Sequence, residues 1–146
     1  MTYAPPRGAR RHSAHAYSNI GLETQVLSAS PERLITLLFE GALSAIAKAR
    51  LHLQMGHIAE RGMAISKAID IVDSGLKLSV DTDSGGDVAK NLVATYELVL
   101  YNLMQANLHA DEERLNVAEN LLKSVSEAWR EACDPVTENT RLQAQL

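Results

Sequence analysis

The sequence predicts an all-α protein, an antiparallel four-helix up-down bundle with an N-terminal strap or short helix packed on it. Apolar residues recur at steps of three and four along four successive stretches, and the connections between these stretches are short. This pattern leaves no room for strands. The chain has 146 residues, 46% of them hydrophobic but only 4% aromatic. We therefore expect one domain whose core is built from Leu, Ile, Val and Ala.

The first helix has an explicit start signal. Ser30 can cap the free amide groups of the first turn, Pro31 suits the first helical position, and Glu32 favours the positive end of the helix dipole. A long apolar stripe follows at helical spacing, formed by Leu34, Leu38, Ala42, Ile46, Ala49 and Leu53. Further apolar residues lie off this line and widen the surface, namely Leu37, Phe39, Leu43 and Leu51.

The second helix is expected from about Ile58 to Val80, after a turn in which Gly56 suits a left-handed position. Its stripe comprises Ile65, Ile69, Val72 and Leu76. Gly62 and Gly75 weaken this helix by about 1 kcal/mol each relative to Ala. The segment DTDSGG then forms a loop over residues 81–86.

The third helix is expected from Asp87 to about His109, and the fourth from the acidic start at residues 111–113 to about Ala132. The third helix carries one apolar face of Leu92, Tyr96, Val99, Leu103 and Ala106, and a second face of Val93, Leu100 and Met104. The stripe of the fourth helix comprises Leu115, Ala118, Leu122, Val125 and Trp129. We expect flexible tails over residues 1–16 and 133–146 and a helical-bundle domain over residues 17–132.

Charge and cysteine content exclude several classes of function. The net charge is −4, and residues 1–18 contain three arginines and no acid, which leaves −7 on the rest of the chain. An acidic body argues against nucleic-acid binding, and the basic tail is either solvated or in contact with an acidic partner. One cysteine, Cys133, allows no internal disulfide and suits a reducing compartment. Neither a secretory signal nor a membrane-inserting run is expected.

Residue patterns for catalysis and metal binding are missing from the sequence. A di-iron bundle needs Glu-x-x-His motifs, and no Glu here has a His three residues after it. The loop at residues 81–87 resembles a calcium loop, but its twelfth position is Leu92 instead of a carboxylate. No lysine follows Gly85-Gly86 as in a phosphate-binding loop. We predict no enzyme activity, no cofactor and no metal.

The apolar surface of the first and third helices is wider than a bundle requires. It is either all core, with residues 17–27 packed over it as a fifth element, or it includes a groove for amphipathic helices of a partner protein. In the second case residues 17–27 form a movable cover. Sequence pattern alone leaves both interpretations open.

Five collinear segments resemble the flagellar secretion chaperones, the FliS family. The run from Ala16 to Leu43, AYSNIGLETQVLSASPERLITLLFEGAL, is similar to the family's N-terminal signature of a Tyr, an aliphatic link and a Ser-x-Ser/Ala-Pro-x-x-Leu-Ile-x-x-Leu-Phe motif. Similar segments follow in order: KAIDIVDSGLKLSVD at 67–81, GGDVAKNLVATYELVL at 85–100, LMQANLHAD at 103–111, and Ala128-Trp129.

The resemblance implies a helical bundle that binds newly made flagellin in the bacterial cytosol. Such a chaperone holds the disordered C-terminal segment of flagellin, prevents premature filament assembly and aids delivery to the export gate of the flagellar type III secretion apparatus. Tyr17 and Ile20 match the family's N-terminal motif and would cover the groove. The candidate partner-binding residues are Tyr17, Ile20, Leu34, Leu38, Tyr96, Val99, Leu103 and Asn107.

Two other functions stay open at this point. One is a helical adaptor or anti-association factor for another secreted helical protein, and the other is a bundle that holds a ligand or metal. The oligomeric state is also open, because a second copy of the chain in a homodimer could close an uncovered groove.

Overall fold

The computed structural model describes residues 29–133, and no strand is present in that range. Its α-helices are α1 (Pro31–Met55), α2 (Ile58–Asp70), α3 (Gly86–His109) and α4 (Glu112–Cys133). The all-α fold class is therefore confirmed. The predicted tail 1–16, the strap 17–27 and nearly all of the predicted tail 133–146 lie outside the described residues.

Three helix ends follow the local signals in the sequence. The Ser30 hydroxyl oxygen accepts a hydrogen bond from the Arg33 amide at 3.2 Å and caps α1. Gly56 ends α1 with a φ of 76°, a left-handed conformation that glycine adopts without steric cost. At the start of α4, the Asp111 carboxylate accepts a hydrogen bond from the Glu113 amide at 3.0 Å.

The predicted second helix is not continuous, which corrects the expectation of one α-helix to Val80. The α-helical part ends at Asp70, a π-helical turn covers Ile71–Leu76, and a 3-10 turn covers Lys77–Ser79. In the π-helical turn the buried residues are Ile71, Val72, Gly75 and Leu76. The widened turn thus presents a broader buried face than the predicted stripe, whose Ile69 is only half-buried.

Side-chain pairs between helices establish the antiparallel arrangement. Along α1 and α4 the residue numbers run in opposite directions through the pairs Gln54 with Glu112, Arg50 with Asn116, and Thr36 with Trp129. Between α2 and α3, Arg61 bonds Asn107, while Lys77 of the following 3-10 turn pairs with Glu97. Short turns join α1 to α2 and α3 to α4. The four helices therefore form an antiparallel bundle, as predicted.

The core lies between the four helices and contains most of the predicted stripe residues. Fully buried members include Ala42, Ile46 and Ala49 of α1, and Leu115, Ala118 and Leu122 of α4. Each buried Leu or Ile contributes about 1.5–3 kcal/mol relative to an exposed side chain. Among the off-stripe residues of α1, Phe39 is also buried, whereas Leu51 is 52% exposed. Within residues 29–133 no helix is long and apolar enough to cross a membrane.

Candidate functional site: an apolar groove at one end of the bundle

An open groove of about 490 Å³ lies at the end of the bundle where α1 begins and α4 ends. We call it the apolar groove. Residues from α1, from the segment after the π-helical turn, from α3 and from α4 line it: Ile35, Phe39, Ser79, Val80, Val88, Asn91, Leu92, Thr95, Tyr96, Val125, Ala128, Trp129 and Ala132. Most of these side chains are apolar, so the groove is suited to an apolar ligand surface.

The groove exists because the second helical segment stops before its neighbours do. Its last helical turn ends at Ser79, and Val80 is extended, with φ −76° and ψ 125°. The first turns of α3, with Val88 and Leu92, continue past this point and also line the groove. A gap therefore opens between α1, α3 and α4.

A smaller cavity of about 300 Å³ adjoins the apolar groove, and we call it the side cavity. Its lining residues are Pro31, Glu32, Leu34, Ile35, Leu38, Gly75, Ser79 and Trp129. Ile35, Ser79 and Trp129 line both spaces. The two spaces thus form one continuous surface with Trp129 on their common wall.

Two polar side chains of the groove lining make hydrogen bonds within the bundle. The Ser79 hydroxyl donates to the Leu76 carbonyl at 2.6 Å, and the Trp129 indole N–H donates to the Thr36 hydroxyl at 3.4 Å. Tyr96 also lines the groove, and burial raises the pKa of its phenol above the ordinary value. The lining of the groove is therefore mainly apolar, with two of its polar side chains already hydrogen-bonded.

The loop that leaves the groove after Val80 is acidic and held by hydrogen bonds. The Asp81 carboxylate accepts hydrogen bonds from the Ser84 hydroxyl, from the Ser84 amide at 3.2 Å and from the Asp83 amide at 3.1 Å. These bonds lower the pKa of Asp81, with the Ser84 hydroxyl the largest cause. One rim of the groove is thus negatively charged.

The structure brings three of the predicted site residues to this surface. Leu34 and Leu38 line the side cavity, and Tyr96 lines the apolar groove. Leu34 is half-buried, whereas Leu38 and Tyr96 are 2% and 3% exposed. A bound segment would therefore reach the edges of Leu38 and Tyr96 and not their whole side chains.

The other predicted site residues lie elsewhere. Val99 and Leu103 are fully buried in the core, and neither lines the apolar groove or the side cavity. Asn107 lies near the opposite end of α3, where its carbonyl oxygen accepts a hydrogen bond from Arg61 at 3.1 Å. That these three residues contact a partner protein remains a prediction. Tyr17 and Ile20 lie outside the described residues.

Several groove residues were not singled out from the sequence. Val88 and Asn91 come from the first turns of α3, and Ala128 and Ala132 from the last turns of α4. Val88 is 78% exposed although it is apolar. The sequence itself shows only a valine beside a loop, and this signal is weak because single apolar residues at the surface are common.

Metal-binding side chains do not cluster in the part of the chain that the structure describes. No three His, Cys, Asp or Glu side chains within residues 29–133 lie together in a metal-binding arrangement. Cys133 is exposed at the end of α4. The fold and the groove together define a helical bundle whose distinctive surface is suited to binding a protein segment.

Comparison with known proteins identifies the family. The family model described as "Flagellar protein FliS" matches residues 13–136. The chain is 44% identical over 116 residues to the flagellar secretion chaperone FliS of Salmonella typhimurium, covering 80% of this chain and 86% of that protein. It is 39% identical over 117 residues to FliS of Escherichia coli, with the same two coverages. The chain belongs to the FliS family of flagellar secretion chaperones.

A third relative comes from a different organism. The flagellar secretion chaperone FliSB of Pseudomonas aeruginosa is 38% identical over 113 residues, which cover 77% of this chain and 89% of that protein. The region matched by the family model, residues 13–136, contains the whole described bundle. The resemblance to the FliS family is therefore confirmed, and this family is a class of secretion chaperones.

Proposed function

We propose that the protein is a cytoplasmic export chaperone that binds the disordered C-terminal segment of flagellin. In this role it prevents premature polymerisation and aids delivery to the export gate of the flagellar type III secretion apparatus. The apolar groove is the observation that carries the proposal, and membership of the FliS family supports it.

Binding would couple to folding of the flagellin segment. A segment with an apolar stripe has nothing to pack on when it is alone, and it orders when the stripe is laid along the groove. Ordering costs a few kcal/mol and burial of about 1,000–3,000 Å² offsets it. The predominantly apolar lining supports this mode, because an apolar stripe loses no hydrogen bond when it leaves water for such a surface.

Contacts with flagellin would be made at the groove and the side cavity. Leu34, Leu38 and Tyr96 line these spaces, and Trp129 is part of their common wall. We assign Val99 and Leu103 a supporting role beneath this surface, since they are fully buried on the same helix as Tyr96. Asn107 would act near the other end of α3, where the bound segment continues along the bundle.

The residues before the bundle would cover the groove in the absence of flagellin. Pro31 and Glu32 line the side cavity, so the chain enters the bundle beside the surface that needs covering. Tyr17 and Ile20 carry the apolar side chains that we expect to compete with flagellin for it. Calorimetry and export assays with the Tyr17→Ala and Ile20→Ala variants test this cover. Removal of the competitor should tighten binding, and unchanged affinity, export and groove exposure would show that no cover exists.

Calorimetric titration with a peptide from the C-terminal region of the same organism's flagellin tests the main proposal. We expect 1:1 binding tighter than about 1 µM, a negative heat-capacity change and a gain of helix by circular dichroism. A scrambled peptide of the same composition is the control. Absence of heat and of helix gain would overturn the proposal. Capture of a different secreted helical protein, with flagellin ignored, would favour the adaptor function.

A further inference from the structure

Gly75 lies in the π-helical turn and makes an unusually close approach to α1. It is buried, and a Cβ atom built at this position would lie 2.9 Å from Leu38 Cδ2 and 3.1 Å from Leu38 Cδ1. Real Cβ atoms hardly ever come within 3.0 Å of another heavy atom. The space that a side chain at position 75 would need is therefore occupied by Leu38.

The conformation of Gly75 does not explain why this residue is a glycine. Among the glycines of the described chain, Gly56 and Gly86 have positive φ angles, whereas Gly75 is helical. Alanine is the better helix former by about 1 kcal/mol, so the backbone alone would favour it here. The constraint at position 75 comes from Leu38 and not from the backbone.

Gly75 and Leu38 line the same side cavity, together with Leu34, Ile35 and Trp129. A methyl group at position 75 would push the Leu38 isobutyl group away from its present site. Because Leu38 is otherwise enclosed by the core, the side cavity is the open space beside it, and we expect the displaced group to reduce the space next to Trp129. One methylene in an apolar pocket changes binding by about 10–200-fold.

We propose that Gly75 is a positioning residue for cargo binding: by lacking a side chain, it keeps Leu38 withdrawn and the side cavity open to an apolar side chain of the bound segment. This inference rests on the proposed function, since the bound segment is that of flagellin. The π-helical turn matters here because it is the element that holds Gly75 against α1.

The test uses three variants of the full chain. Gly75→Ala closes the cavity, and Gly62→Ala is the matched control, because a Cβ there would meet only Asn107 Oδ1 at 3.9 Å. The double variant Gly75→Ala with Leu38→Val shortens the displaced side chain and should restore the space. Flagellin-peptide affinity is measured by calorimetry, and urea unfolding checks that each variant is folded.

Gly75→Ala should weaken peptide binding by about tenfold or more, whereas Gly62→Ala should stay within about twofold of the unmodified protein. The double variant should recover most of the loss, because the shorter side chain at position 38 needs no displacement. Weak binding by Gly75→Ala at a temperature where urea unfolding shows the variant fully folded separates the effect on the cavity from a general loss of stability. If the unmodified protein binds the peptide and Gly75→Ala binds it equally well, the inference is wrong and the proposed function stands.

A measurement on the free protein, without peptide, further distinguishes failure of this inference from failure of the proposed function. Trp129 is the only tryptophan of the chain and lines the side cavity. Its fluorescence emission should shift in free Gly75→Ala and return in the double variant. Leu38 and Trp129 line the same cavity, so a displaced Leu38 would change the environment of the indole ring. If the unmodified protein does not bind the peptide, the proposed function fails, and unchanged Trp129 emission would then overturn the positioning role as well.

Discussion

The Trp129 indole N–H donates to the Thr36 hydroxyl at 3.4 Å and so joins the end of α4 to the beginning of α1. The same Thr36 hydroxyl donates to the Glu32 carbonyl at 3.1 Å. Trp129 is thereby held on the wall that separates the apolar groove from the side cavity. Its ring gives the groove shape, while its hydrogen bond sets the orientation of the ring.

Replacement of Trp129 should affect binding more than replacement of its partner. Trp129→Ala removes the largest side chain of the common wall, and we expect flagellin-peptide affinity to fall by at least about tenfold and stability by about 1–3 kcal/mol, since the ring is only half-buried. Thr36→Val removes only a long hydrogen bond and should cost less than about 1 kcal/mol. Calorimetry and urea unfolding measure the two effects. An affinity of Trp129→Ala within about twofold of the unmodified protein would contradict a role for the ring.

A charge at the groove edge should weaken binding without unfolding the bundle. Val88 is 78% exposed and lines the apolar groove, so Val88→Glu changes the groove and little else. We expect a loss of affinity of about tenfold and a stability change within about 0.5 kcal/mol. Met63→Glu is the matched control, because Met63 is 73% exposed on α2 and lines neither space. If both variants bind equally well, flagellin does not use this groove.

The raised pKa of the Tyr96 phenol predicts a loss of stability at alkaline pH. Burial raises the pKa of its phenol above the ordinary value of 10.0. Below about pH 10 the phenol is neutral in both states, and above it the unfolded chain loses a proton that the folded chain keeps. The free energy of unfolding should therefore fall by up to about 1.4 kcal/mol per pH unit above pH 10.

Tyr96→Phe isolates this contribution. Urea unfolding between pH 9 and about 11 should show a shallower loss of stability in the variant than in the unmodified protein. Tyr101→Phe is the control, because Tyr101 is 47% exposed. Parallel pH profiles for the unmodified protein and Tyr96→Phe would show that the phenol ionises as readily in the folded state as in the unfolded one.

Helix ends were predictable because capping is local. Ser30, Gly56 and Asp111 satisfy backbone groups within a few residues of themselves, so their roles follow from the sequence alone. The π-helical turn was not predictable in this way. Gly75 packs on Leu38, which lies on another helix, and such a contact leaves no trace in helical periodicity.

The candidate site was predictable in part for a similar reason. Periodicity identifies the inward face of α3, which contains both Tyr96 and Leu103. It does not tell where along that face a neighbouring helix ends. Tyr96 lies beside the gap after Ser79 and lines the groove, whereas Leu103 lies deeper and is fully enclosed. Core residues can therefore be distinguished from groove residues only when the packing of all four helices is known.

The polar pairing of α1 with α4 was not visible in the sequence either. Arg50 donates to Asn116 and to Glu119, both at 3.1 Å, and the Arg50 and Glu119 side chains are 23% and 18% exposed. Arg50 Nη2 is buried and has no hydrogen-bond partner within the described chain. Loss of Glu119 would leave a largely buried positive charge with a single bond to Asn116.

Glu119→Ala should therefore cost about 1–3 kcal/mol of stability, since an unpaired buried charge costs more than the pair gains. Arg50→Met combined with Glu119→Met removes both charges and should cost less than Glu119→Ala alone. Glu40→Ala is the control, because Glu40 pairs with Arg33 at 3.8 Å with both side chains more than half exposed, and such pairs contribute about 0–1 kcal/mol. Urea unfolding gives all three values. If Glu119→Ala costs no more than Glu40→Ala, water must screen Arg50 despite its burial, and the pair would then contribute no more than a surface ion pair.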